Sequence, residues 1–208
     1  MNDNPFRFDC SKCPTPCDGV SKGTYIFEND VDYSKKKEFQ IINQINTVDG
    51  FFAEKYEEPG YPDIKVFHED SGKAFYIEIK AQRRTFMSVK RILPDGNLIP
   101  SETVACNLSD LLRYVDIHKQ TSDRIFVLWC LENRPCIVEE GKTRYFYEDI
   151  ENLEQVYLHY GNKRRFRRES GRGDVVNGQH RGVVVNYHFS LNEFIEVHLL
   201  ELLRKGIQ

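Results

Sequence analysis

The chain has 208 residues, of which 40% are hydrophobic and 29% charged, and a formal net charge of -3. That length accommodates one domain with a full core, and the composition excludes a disordered or fibrous chain. The longest apolar run, Ile125–Leu131, falls far short of the roughly 20 residues a membrane span needs. Residues 1–9 hold no basic region followed by an apolar stretch, so no signal peptide is expected there and the chain reads as cytoplasmic. In that compartment six cysteines suggest metal binding or plain burial rather than disulfides.

Three zones follow one another. Residues 1–30 form a Cys- and Pro-rich segment in which Cys10, Cys13 and Cys17 gather three thiols in one short loop. A structural Zn²⁺ there needs a fourth ligand, for which Cys106, Cys130, Cys136 and the histidines all remain open. Residues 31–150 alternate helix and strand signals. Phe39, Ile42 and Ile45 recur at helical spacing and predict a helix over 33–47. Strands are expected over 51–56, 64–68 and 74–81. A helix over 109–119 carries Leu111, Leu112, Val115 and His118 on one side, and Ile125–Leu131 reads as a strand buried on both faces. Residues 151–208 hold a basic stretch and then a helix. That helix is expected to start at a capping box of Ser190 and Glu193, to carry Leu191, Phe194, Ile195 and Leu199, and to stop at Gly206. The fold class is a mixed α/β domain of order helix, three strands, helix, strand, with a Cys-rich N-terminal loop and a basic, helix-ending C-terminal extension.

The most informative stretch is the hairpin of 64–68 and 74–81. A two-residue loop at Ser71-Gly72 pairs Ile64 with Ile79 and Val66 with Ile77 on one apolar face. A slip by one residue splits that set between the two faces, which disfavours it. The same register puts Asp63 opposite Lys80 and Lys65 opposite Glu78 on the other face. Two carboxylates and an ammonium on neighbouring strands suit phosphodiester hydrolysis. The carboxylates hold a hard cation such as Mg²⁺, and the lysine orients water or stabilises charge building on phosphate.

Pro62-Asp63, followed by Glu78-Ile79-Lys80 at the end of an apolar strand, resembles the signature of the PD-(D/E)xK nuclease superfamily, which has the restriction-endonuclease-like fold. The resemblance covers residues 33–131 and implies a Mg²⁺- or Mn²⁺-dependent endonuclease acting on DNA. It makes Asp63, Glu78 and the Ile79 carbonyl metal ligands and Lys80 the catalytic lysine. Glu38 on the first helix and Gln82 two residues beyond the lysine match accessory positions of some branches. Glu140-Gly141-Lys142 has the same acidic-x-Lys form but falls on a turn. A restriction or other defence nuclease is the first reading, and a Holliday-junction or repair nuclease the alternative. A third option is a non-catalytic nucleic-acid-binding module of this fold. Cutting both strands of a duplex with one site per chain suggests a homodimer. For DNA contact the expected residues are Arg83 and Arg84, just past the site strand, and the cluster Lys163, Arg164, Arg165, Arg167 and Arg168.

Overall fold

In a computed structural model, the structure describes residues 4–10, 27–82, 85–132, 134–167, 175–176, 179–180 and 185–208. The first helix, α1 (Phe27–Ile45), starts six residues before position 33, where the sequence places its beginning. Three antiparallel strands follow: β1 (Phe51–Lys55), β2 (Ile64–His68) and β3 (Ala74–Gln82). A short helix α2 (Val89–Ile92) leads into β4 (Thr103–Asn107), α3 (Leu108–Thr121) and β5 (Ile125–Leu131). After these come β6 (Arg144–Asp149) and α4 (Ile150–Tyr160), then β7 (Arg165–Arg167), β8 (Val175–Val176) and β9 (Gln179–His180). The last elements are β10 (Val185–Ser190), β11 (Ile195–Glu196) and α5 (Leu199–Gly206).

The main sheet has the order β1-β2-β3-β5-β6-β11, with β3 and β5 parallel and its other pairs antiparallel. A parallel neighbour cannot be reached by a hairpin, and here β4 and α3 make the crossover from β3 to β5. The strand sequence β1, β2, β3 and β5, entered from α1 and crossed by α3, keeps the order helix, three strands, helix, strand expected from the sequence, with α2 and β4 inserted before the second of those helices. β5 is buried at every position, as its unbroken apolar run predicts for a central strand. One face of the sheet packs under α1 and α5 through Ile41, Ile45, Ile64, Val66, Phe75, Ile77, Leu202 and Leu203. The opposite face packs under α3 and α4 through Tyr76, Leu111, Trp129, Phe146 and Leu153. A second, three-stranded sheet β4-β10-β7 leans on that side, its Phe189 ring 6.0 Å from the indole of Trp129.

Three expectations need correction. The β2–β3 register is shifted by two residues: Ile64 faces Ile77, Val66 faces Phe75 and Lys65 faces Tyr76. The cause is a four-residue loop, Glu69 to Gly72, closed by the His68 and Lys73 backbones and by Gly72 in a left-handed conformation at φ +65°. A two-residue shift preserves the side-chain alternation, so each residue keeps its expected face. Lys65 is consequently no partner of Glu78, and its ammonium sits over the rings of Tyr56, Phe67 and Tyr76. Second, the helix expected from Ser190 onward is three pieces: a 3-10 turn Leu191–Glu193, the strand β11, and α5. The capping box does form, but a cap satisfies a single turn as well as a long helix, and β11 then pairs with β6. Third, the Leu93-Pro94-Asp95-Gly96 stretch, whose sequence suggests a hairpin tip between the third strand and the second helix, forms a 3-10 turn over Pro94–Gly96 that follows α2.

Candidate active site

The polar residues of the site gather where β2 begins and β3 ends. Extending the observed β2–β3 register by one step sets Asp63 opposite Glu78 rather than Lys80. Asp63 is steered by the loop before it. Gly60 takes φ +95°, and its carbonyl accepts a 2.8 Å hydrogen bond from Arg113 Nε on α3. Asp63 Oδ2 then accepts from the backbone amide of Ile79 at 2.9 Å. In an extended strand the N–H and C=O of one residue point the same way, so the Ile79 carbonyl is turned toward Asp63 as well.

Glu78 is buried although charged, a placement that demands partners. It has two. Tyr114 Oη donates to Oε2 at 2.6 Å, and the Lys80 ammonium lies 2.5 Å from Oε1. Lys80 also approaches Asp110 Oδ2 at 3.5 Å. Burial works against the Lys80 ammonium, but the charges of Glu78 and Asp110 outweigh it and hold the group above the ordinary lysine value. Lys80 is therefore a cation here. Among the described residues, Asp63 has no such counter-ion in contact. Burial, and next the charge of Glu78, push its carboxyl up to about 7 against the pull of the Ile79 amide. Two carboxylates on adjacent strands, one raised partly by the other, form a donor set with excess negative charge. A hard divalent cation fits such oxygen donors.

The accessory positions fall around this centre. Glu38 on α1 pairs with Lys55 of β1 at 3.0 Å, and its charge adds to the elevation of Asp63. Gln82 shares the face of Glu78 and Lys80, with its Nε2 donating to the Thr103 carbonyl at 3.2 Å. Asp110 and Tyr114 were not expected. They lie four apart on α3, one turn along the same flank, and a polar pair at that spacing beside an apolar stripe was the available signal.

The basic cluster divides. Lys163, Arg165 and Arg167 are exposed, with Phe166 turned inward between the two arginines. Arg164 is buried, and its expected role in DNA contact is corrected here. Its guanidinium donates to both Glu193 oxygens at 2.7 Å and to the Gly96 carbonyl at 2.9 Å, and lies 3.4 Å from the centroid of the Tyr160 ring. Buried and committed in this way, the side chain is withdrawn from the surface on which a phosphate would lie. Arg83, Arg84 and Arg168 lie outside the described residues, as do Cys13 and Cys17. Cys10 is half-buried, and its thiol lies 3.6 Å from the Phe8 carbonyl. Cys130 is core. Among the described residues no group of three or more His, Cys, Asp or Glu side chains is arranged as a ready metal cage. Nor is any helix among them long and apolar enough to cross a membrane.

No protein-family model and no curated protein sequence matches the chain. Among solved structures it is similar to Hjc, a Holliday junction resolvase of the archaeal hyperthermophile Archaeoglobus fulgidus, at 9% identity and a TM-score of 0.43. The match covers 82% of this chain and 94% of that one.

Proposed function

We propose that this chain is a metal-dependent nuclease that hydrolyses DNA phosphodiester bonds at Asp63, Glu78 and Lys80. The observation that carries the reading is the meeting of two opposed carboxylates and a lysine ammonium at the end of β3. In this reading Asp63, Glu78 and the Ile79 carbonyl hold Mg²⁺ or Mn²⁺. The cation, when bound, supplies Lewis acidity toward the phosphoryl oxygen and a water of lowered pKa. Lys80 places its positive charge where negative charge grows on the phosphate and orients the attacking water. Tyr114 holds the Glu78 carboxylate in one rotamer. Glu38 and Gln82 bound the site on either side, the first tuning the charge at Asp63 and the second bracing β3 against β4.

For the substrate, the junction or repair reading is preferred to the restriction reading. The restriction reading takes the C-terminal zone as a basic appendage to the core that supplies DNA contacts. Instead β11 extends the main sheet, β7 and β10 build the second sheet with β4, and α5 covers β3. The extension is thus part of the body, and Lys163, Arg165 and Arg167 are left as the described candidates for backbone contact.

The test is incubation of the purified protein with Mg²⁺ and either plasmid, linear duplex or four-way-junction DNA, beside EDTA, Asp63→Ala and Lys80→Ala controls. The expected result is metal-dependent cleavage of the junction, reduced at least about a hundredfold by either substitution. Discrete plasmid fragments with an untouched junction would move the assignment to a restriction enzyme. Absence of cleavage on every substrate would leave a binding module, and wild-type rates in Lys80→Ala would remove the site.

A further inference from the structure

The Lys80 ammonium has two anionic neighbours, and only one of them is a candidate metal ligand. It lies 2.5 Å from Glu78 Oε1 and 3.5 Å from Asp110 Oδ2. Because Tyr114 occupies Glu78 Oε2, Oε1 is the oxygen for which an ammonium and a divalent cation compete. Two positive charges on one oxygen repel strongly at partly buried sites, so one must withdraw. Asp110 is built to receive it. Its Oδ1 accepts from Arg113 Nη2 at 2.9 Å and its Oδ2 from Asn107 Nδ2 at 3.3 Å. Arg113 in turn is fastened to the Gly60 carbonyl. The carboxylate is therefore fixed in the first turn of α3, and a lysine side chain reaches it by a small swing, from 3.5 Å to the roughly 2.8 Å of a charge-assisted hydrogen bond.

We propose that Asp110 is a positioning residue that receives the Lys80 ammonium when Glu78 takes up a divalent cation, so that metal binding and lysine placement are coupled through α3. This rests on the nuclease reading. Without the Asp110 charge, Lys80 stays on Glu78 and competes with the metal. Asp110 therefore tightens cation binding without contacting the cation, and does so only while Lys80 is present.

A double-mutant cycle on the full chain reads this directly, with Mn²⁺ binding measured by calorimetry for wild type, Asp110→Asn, Lys80→Met and the double variant. Asp110→Asn is expected to weaken Mn²⁺ binding about tenfold in the wild-type background and less than about twofold in the Lys80→Met background, contacting side chains being coupled. Equal weakening in both backgrounds would mean that Asp110 acts on the cation itself, and no weakening in either would mean that it does not act at all. Each result overturns the proposal while leaving the nuclease reading intact. A wild-type chain that binds no Mn²⁺ would overturn the nuclease reading and this proposal with it. Should Asp110→Asn disturb α3 in thermal unfolding, Asp110→Ser, which keeps an acceptor for Asn107 and Arg113 without the charge, takes its place in the cycle.

Discussion

At the scale of single residues, the site stores unfavourable charge. Asp63 is a carboxylate whose proton affinity is raised in the folded chain, to about 7 from 3.8. Between those values the folded state binds more protons than the unfolded one, so stability falls as pH rises through the window and the whole cost is present above it. Asp63→Asn keeps an acceptor for the Ile79 amide and removes the charge. It should stabilise the fold at pH 8 by something on the order of 2 kcal/mol, visible as a higher Tm, with the gain fading near pH 4. A variant no more stable than wild type at pH 8 would show that the carboxylate is not strained. The same substitution should abolish metal-dependent cleavage, the exchange of activity for stability expected where a fold keeps a costly site. Asp63, Glu78 and Lys80 were recognisable in the sequence because strand alternation fixes their shared face. Tyr114 and Asp110 were not, since they meet Glu78 and Lys80 only through tertiary packing 36 and 30 residues away.

Among the elements, those with strong periodicity were legible and those made by pairing were not. The apolar run of β5 and the stripes of α1 and α3 announce themselves. The two-residue β11 and the three-residue β7 are defined by their partners, and no local pattern marks them. Loop chemistry was the other blind spot. A Ser-Gly pair signals a turn without saying whether the loop has two residues or four, and that difference moved the β2–β3 register by two. The basic segment illustrates a third limit. Composition shows five cationic residues among the six from 163 to 168 but not which of them the body claims. Arg164 is so claimed, bridging the turn before β7 to Glu193 and Gly96. Removing one partner of a buried pair leaves an uncompensated charge, so Arg164→Met should destabilise the protein by about 3 kcal/mol in chemical denaturation. Its effect on the salt dependence of DNA binding should be nil. A change in salt slope at preserved stability would return Arg164 to the interface.

For the molecule as a whole, the exposed cations and the site lie on a body built from both ends of the described chain. Replacing Lys163, Arg165 and Arg167 by Gln should weaken DNA binding and lower the slope of log K against log salt by as much as about 3 if all three meet phosphates. An unchanged slope would take the segment away from the DNA. Closure of the body also sets a timetable. Gly206 leaves no room for a side chain against Phe75, where an added Cβ would stand 2.4 Å from the ring, and Lys73 donates to the Ile207 carbonyl at 2.6 Å. The strand that bears Glu78 and Lys80 is thus sealed by residues synthesised some 130 positions later. A nascent chain on the ribosome carries β3 covered by α1 alone on that face until α5 has cleared the exit tunnel, and the face is complete only then.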